Sequence, residues 1–178
     1  MQDMIDLIEP LIPALRRYAR ALLRNPSAAD DLVQDCLERA ISAWGGRRAD
    51  GDVKSWLFTI LHNLAMNSFT QARRRGAHIA LEDADPSVFA RDASQENGLR
   101  HRELVNALAR LPDEQRSVIL LVSVEGLSYA QTAKVLAVPV GTVMSRLSRG
   151  RERLAAMLRA ETVDRAAPRS TPHLRRVK

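Results

Sequence analysis

Residues 128–158, SYAQTAKVLAVPVGTVMSRLSRGRERLAAML, decide how the rest of the chain is read. Ser128 followed by Gln131 is a capping-box start, and Gly126 just upstream is a natural helix stop. A short helix over 129–137 is therefore predicted. Pro139 and Gly141 then punctuate the chain, since proline cannot donate to a continuing helix and glycine tolerates a sharp turn. A second helix follows from Val140 or Thr142. Its apolar positions Val143, Leu147, Leu154 and Leu158 fall at helical spacing and define a buried face. Met144, Ser145, Ser148 and Arg149 are left on the opposite side. Small serines allow close approach to a major groove, and arginines reach guanine edges or phosphates. An Arg-rich helix face by itself is ordinary solvated surface. Here the cap, the turn and the core spacing all agree on a helix-turn-helix that contacts DNA.

Working outward, composition restricts what the remainder can be. The chain has 178 residues, enough for one ordinary domain or two small ones. With only 4% aromatic residues, any core is built of Leu, Val, Ile and Ala, which suits helix packing better than a sheet sandwich. An all-α fold is expected. The net charge of +6 points to a polyanionic partner. Residues 161–178 carry +3 of it in a Pro-containing basic tail expected to be disordered. Cys36 is the single cysteine, so no internal disulfide forms, and four scattered histidines give no zinc spacing. Cys36 reads as a small core residue. No metal or cofactor is expected. No apolar run reaches membrane-spanning length and the N-terminus is acidic, so neither a membrane insertion nor a signal peptide is expected and the protein is assigned to the cytoplasm.

After a short leader, residues 11–23 carry Leu11, Leu15, Ala19, Leu22 and Leu23 at helical spacing, and Asn25, Pro26 and Ser27 break that helix. The next helix spans 28–44, with Val33, Leu37, Ala40, Ile41 and Trp44 as its inward row. Its other face holds Asp31, Gln34, Asp35 and Glu38 at i, i+3, i+4 and i+7. Two readings stand here: surface charge favoured near a helix N-terminus, or a docking face for a basic protein surface. A glycine-containing basic loop leads into a long helix over 52–75. There Val53, Trp56, Leu57, Ile60, Leu61, Leu64 and Ala65 repeat at core spacing. Thr59, Asn63, Asn67, Thr70 and Arg74 line its flank. Such a row can hydrogen-bond bases and follow a phosphate backbone, or it is inexpensive surface polarity. Periodicity then lapses over 76–97, an acidic stretch read as an interdomain linker. A helix over 99–111, with Leu104, Ala107, Leu108 and Leu111 inward, and another from Pro112 to Gly126 support the helix-turn-helix.

Three strings then carry a family resemblance: AADDLVQDCLERA, SWLFTILHNLAMN, and LPDEQRSVILLVSVEGLSYAQTAKVLAVPVGTVMSRLSRGRERL. In that order they resemble the extracytoplasmic function (ECF) group of sigma-70 family transcription initiation factors, over residues 11–159. The resemblance implies region 2 over 1–75, a linker over 76–98, region 4 over 99–160, and the tail over 161–178. It implies core RNA polymerase as partner at Asp31, Leu32, Gln34 and Asp35. It also implies −10 promoter contacts at Asp50, Lys54, Asn63, Asn67 and Arg74, and −35 contacts at Ser145, Arg146, Ser148, Arg149 and Arg151. Met144 stands where many members carry Arg or Lys. An anti-sigma factor is implied as a further partner. The competing expectations are a polymerase-independent helix-turn-helix regulator and a recombinase or nuclease. No paired carboxylates, Ser/His/Asp order or phosphate-cradling glycine motif supports an enzyme.

Overall fold

The computed structural model describes residues 2–23, 25–47, 51–74 and 95–166, and these are helical with no strand among them. The helices are α1 (Gln2–Ile8), α2 (Ile12–Leu23), α3 (Pro26–Ala43), α4 (Val53–Arg74), α5 (Gln95–Ala109), α6 (Asp113–Ile119), α7 (Tyr129–Leu136) and α8 (Val140–Ala166). What the sequence presented as a leader is a helix: α1 runs into a 3-10 turn, Glu9–Leu11, and buries Met4 and Ile8. Pro10 lies in that turn and Pro13 in the first turn of α2, where a missing N–H costs nothing. Asn25 both separates α2 from α3 and caps α3, its side chain accepting the Ala28 N–H at 2.9 Å.

Helices α2, α3 and α4 pack around Leu15, Tyr18, Leu22, Val33, Cys36, Leu57, Phe58 and Leu61, all buried. Tyr18 and Phe58 meet edge to face at 5.4 Å. Cys36 is buried, and burial pushes its thiol up to about 12, which removes the reactive thiolate at neutral pH. The inward row of α3 differs from the expected one. Ala29, Leu32, Val33, Cys36 and Ala40 face the core, whereas Ile41 is 56% exposed. The long stretch of mixed apolar residues in this helix supports two neighbouring registers, and packing against α2 and α4 selects one. Leu104 is likewise exposed, and Val105 takes the buried place in α5.

In the second unit, α6 and α8 pack through Val118, Ile119, Val143 and Leu147, with Leu108 of α5 and Leu111 just after that helix beside them. The helix expected from Pro112 to Gly126 is α6 followed by a π-helical turn, Leu120–Val124, closed by the Glu125 N–H on the Leu120 carbonyl at 2.9 Å. Gly126 ends it at φ +69°, a left-handed conformation glycine adopts without strain. The widened turn sends Leu120, Leu121 and Leu127 toward the first unit, where they join the α2–α4 core together with Val135 of α7. The two helical units therefore share one apolar cluster.

Candidate nucleic-acid and polymerase interfaces

Helix α7 begins with the full capping box foreseen at Ser128. Its Oγ accepts the Gln131 N–H at 3.1 Å, and Gln131 Oε1 accepts the Ser128 N–H at 2.7 Å. The helix stops at Ala137, which holds φ 51°, ψ 44° in the left-handed region, while the Val138 N–H reaches back to the Ala133 carbonyl at 3.0 Å. Pro139 then starts α8, its carbonyl accepting from Thr142 at 2.9 Å. A helix-turn-helix results because two local end signals leave only this short connection.

On α8, Val143 and Leu147 face α6, and Met144, Ser145, Ser148, Arg149, Arg151 and Arg153 are exposed. Gly150 was not singled out by the sequence reading, yet it is the point of closest approach: a Cβ there would stand 2.9 Å from Ile119 Cδ1. A glycine inside a helical pattern signals close approach only when a second element is known to cross it. Arg149 folds along its own helix, donating to the Ser145 carbonyl at 3.2 Å and to Ser145 Oγ at 3.3 Å. Ser148 donates to Glu152 at 2.9 Å. Arg146 turns away from that face and pairs with Glu114 of α6 at 2.8 Å, so its guanidinium is engaged within the domain. Arg151 donates to Ser123 Oγ at 3.2 Å, toward the π turn.

Along α4 the polar flank divides into two kinds. Thr59 and Thr70 bond back to the Ser55 and Met66 carbonyls at 2.8 and 2.9 Å, a local alternative that removes both hydroxyl donors from the surface. Asn63, Asn67 and Arg74 are exposed and point outward. Asp50 lies outside the described residues. Lys54 is half-buried, and its ammonium donates to the backbone carbonyl of Glu125 in the second unit. Asp52, before α4, accepts Ser55 Oγ at 2.6 Å and Gln131 Nε2 at 2.6 Å. Burial raises its pKa, but hydrogen bonds from Ser55, Gln131 and the Lys54 backbone outweigh that and hold the carboxyl below its ordinary value. Nearby, Arg47 stacks 4.5 Å over Trp44, whose ring meets Trp56 at 6.0 Å.

The third face belongs to α3. Asp31, Gln34, Asp35 and Glu38 are exposed, with Gln34 donating to Glu38 at 3.1 Å, while Leu32 is only 7% exposed and supports this face from the core side. Asp30 is set apart by its pairing with Arg20 at 3.1 Å. Beside the acidic face lies a groove of about 410 Å³ lined by Met4, Ile5, Ile8, Ile12, Leu37 and Ile41. Among the described residues no cluster of His, Cys, Asp and Glu could hold a metal, and no helix is long and apolar enough to cross a membrane.

A helix-turn-helix in one unit, and in the other an outward amide and arginine row on α4 with an exposed acidic face on α3, fit a DNA-binding protein of the transcription machinery. Profiles of known families agree: that described as the Sigma2 domain of PhyR matches residues 8–62, and that of Sigma-70 region 4 matches residues 101–154. The ECF RNA polymerase sigma factor EcfG of Rhodopseudomonas palustris is 36% identical over 93% of this chain and 91% of that protein. SigM of Mycobacterium tuberculosis, an ECF sigma factor, is 40% identical over 81% of this chain and 71% of its own length. The solved sigma factor RpoE from Bartonella quintana, in complex with the anti-sigma factor NepR, has TM-score 0.72 and 32% identity, covering 90% of this chain and 99% of that one. CnrH, solved with the cytosolic domain of CnrY, has TM-score 0.67 and 26% identity, covering 90% of both chains. This chain belongs to the ECF group of the sigma-70 family of RNA polymerase sigma factors. The polymerase-independent regulator is not favoured, because the first unit as well as the second matches a sigma-factor domain.

Proposed function

We propose that the chain attaches to core RNA polymerase through the exposed face of α3, with Asp31, Gln34 and Asp35 as its polar contacts and Leu32 holding the face in place. Asn63, Asn67 and Arg74 of α4, with Lys54 and Asp50 at its start, receive the melted −10 strand. A flipped base needs a pocket and outward hydrogen-bond donors to offset the loss of stacking, and an amide row on a rigid helix supplies them. Ser145, Ser148 and Arg149 of α8 read the −35 duplex, with Met144 adding an apolar contact. Arg151 reaches phosphate, and Arg146 braces the helix from behind through Glu114. The chain makes and breaks no bonds itself; RNA synthesis belongs to the polymerase, in the cytoplasm. An anti-sigma factor is a further partner, since the similar sigma factor RpoE was solved in complex with the anti-sigma factor NepR.

The observation that carries this reading is the acidic face of α3, exposed on a chain of net charge +6 and separate from both DNA-facing helices. DNA would repel it, and a basic protein surface fits it. Asp35→Arg is expected to abolish co-elution with core polymerase while leaving duplex DNA binding by the full chain intact. Undiminished polymerase binding by the variant would overturn the assignment.

A further inference from the structure

The first two turns of α8 present an apolar edge on a chain of net charge +6. Val140 and Met144, at i and i+4, are 42% and 53% exposed, and they stand clear of the buried Val143 and Leu147 that face α6. Beside them Gly141 and Ser145 are exposed and small. The Ser145 hydroxyl donates to the Thr142 carbonyl at 3.1 Å and accepts from Arg149, so its one proton is used within the helix. Arg146, the first charged residue of α8, is turned to Glu114 at 2.8 Å. The first exposed guanidinium is that of Arg149, a turn beyond Ser145.

In a helix-turn-helix the leading residues of the second helix contact base edges in the major groove. Guanine there needs donors for O6 and N7, adenine needs a donor for N7, and cytosine needs an acceptor for its N4 amine. The outward face of Val140–Leu147 has no spare side-chain donor and no carboxylate. Thymine differs, because its C5-methyl asks only for apolar surface. Met144 is unbranched and adapts its shape to such a contact, whereas Val140 is stiff and fixed by its backbone. The two lie about 6 Å apart along the helix axis, close to the length of two base-pair steps. Attraction to phosphate comes from either side: Arg151 lies two turns beyond Met144 on the same edge, and exposed Arg149 and Arg153 lie on the other.

We propose that Val140 and Met144 set the −35 preference of this chain by packing on the C5-methyl groups of two thymines, about two base-pair steps apart or less, where the start of α8 meets the duplex. This deepens the promoter-binding reading above and rests on it. Arg149 supplies donor contacts further along the helix, so the element is read by methyl contact at one end and by hydrogen bonds at the other. One methyl taken out of water is worth about fourfold in affinity, and the pair together about fifteenfold.

Deoxyuridine pairs as thymine does and lacks only the methyl, so it isolates this contact. The full chain is assembled with core polymerase, and its preferred upstream element is selected from a randomised promoter library. Each thymine of that element, on either strand, is then replaced in turn by deoxyuridine. Wild-type holoenzyme is expected to lose about fourfold in promoter affinity at each of two neighbouring thymines and less at any other. Met144→Ala should bind the thymine promoter about fourfold less well and lose its sensitivity to deoxyuridine at one of those positions, and Val140→Ala at the other. Both side chains are exposed, so both variants should keep wild-type helicity. In a repeated selection, Met144→Arg should take guanine where the wild type takes thymine, through bonds to O6 and N7. A selected element without thymine at neighbouring positions, or deoxyuridine without effect, overturns the inference. So does an equal loss in wild type and both variants, which would assign the methyl to duplex shape. If wild-type holoenzyme selects no upstream element at all, the promoter-binding reading itself falls and the inference with it.

Discussion

Gly150 of α8 and Ile119 of α6 approach so closely that a Cβ on the glycine would stand 2.9 Å from Ile119 Cδ1 and 3.3 Å from Gln115 Cβ. The DNA-facing helix is thus seated on its support through a missing side chain. Ile119 has some freedom at its tip, so Gly150→Ala is expected to be nearly neutral, its steric cost offset by about 1 kcal/mol of helix propensity. Gly150→Val adds bulk that neither Ile119 nor the Gln115 Cβ can avoid and should cost about 2 to 3 kcal/mol, read from urea unfolding. Equal stability of the two variants would contradict the close seating.

Tyr18 and His62 form a buried polar pair at 3.0 Å between α2 and α4. Burial pushes the Tyr18 phenol up, so it keeps its proton and donates to Nδ1, and burial lowers the His62 pKa from 6.5 to about 4. Between those two values the unfolded chain binds a proton that the folded chain refuses. Stability from this group is complete above about pH 6.5 and declines as pH falls toward 4, by about 3 kcal/mol in total. Urea midpoints measured across that range should drop for wild type and drop less for His62→Gln.

Ala137 carries a left-handed backbone at φ 51° at the end of α7. A Cβ is disfavoured there, and glycine is not. Ala137→Gly should stabilise the helix-turn-helix by about 0.5 to 1 kcal/mol, after allowing for the greater freedom of the unfolded glycine. A lowered melting temperature would show that the turn relaxes in solution.

Arg149 rests on Ser145 and is exposed on the face proposed for base reading, whereas Arg151 leans on Ser123. Arg149→Ala should weaken binding to the preferred −35 duplex by about 1 to 3 kcal/mol and relax its sequence preference. Arg151→Ala should weaken all duplexes alike and reduce the salt dependence by about one counterion. The titration of binding against salt separates the two roles; interchanged results would reassign them.

The helices, the capping box at Ser128, the stop at Gly126 and the exposed face of α8 follow from relations among residues one to four apart, and the chain itself therefore determines them. The same is true of the acidic face of α3, whose spacing needs no partner to be seen. Tertiary structure alone decided the rest. Ile41 lies outside because α2 and α4 choose between two apolar registers on α3. Arg146 faces Glu114 instead of solvent, and Thr59 and Thr70 spend their hydroxyls on their own helix. The joining of the two units depends on Glu125 meeting Arg17 and Lys54 at sequence separations of 108 and 71. No periodicity encodes contacts at that range, because they are fixed by how whole faces pack after the local elements have formed.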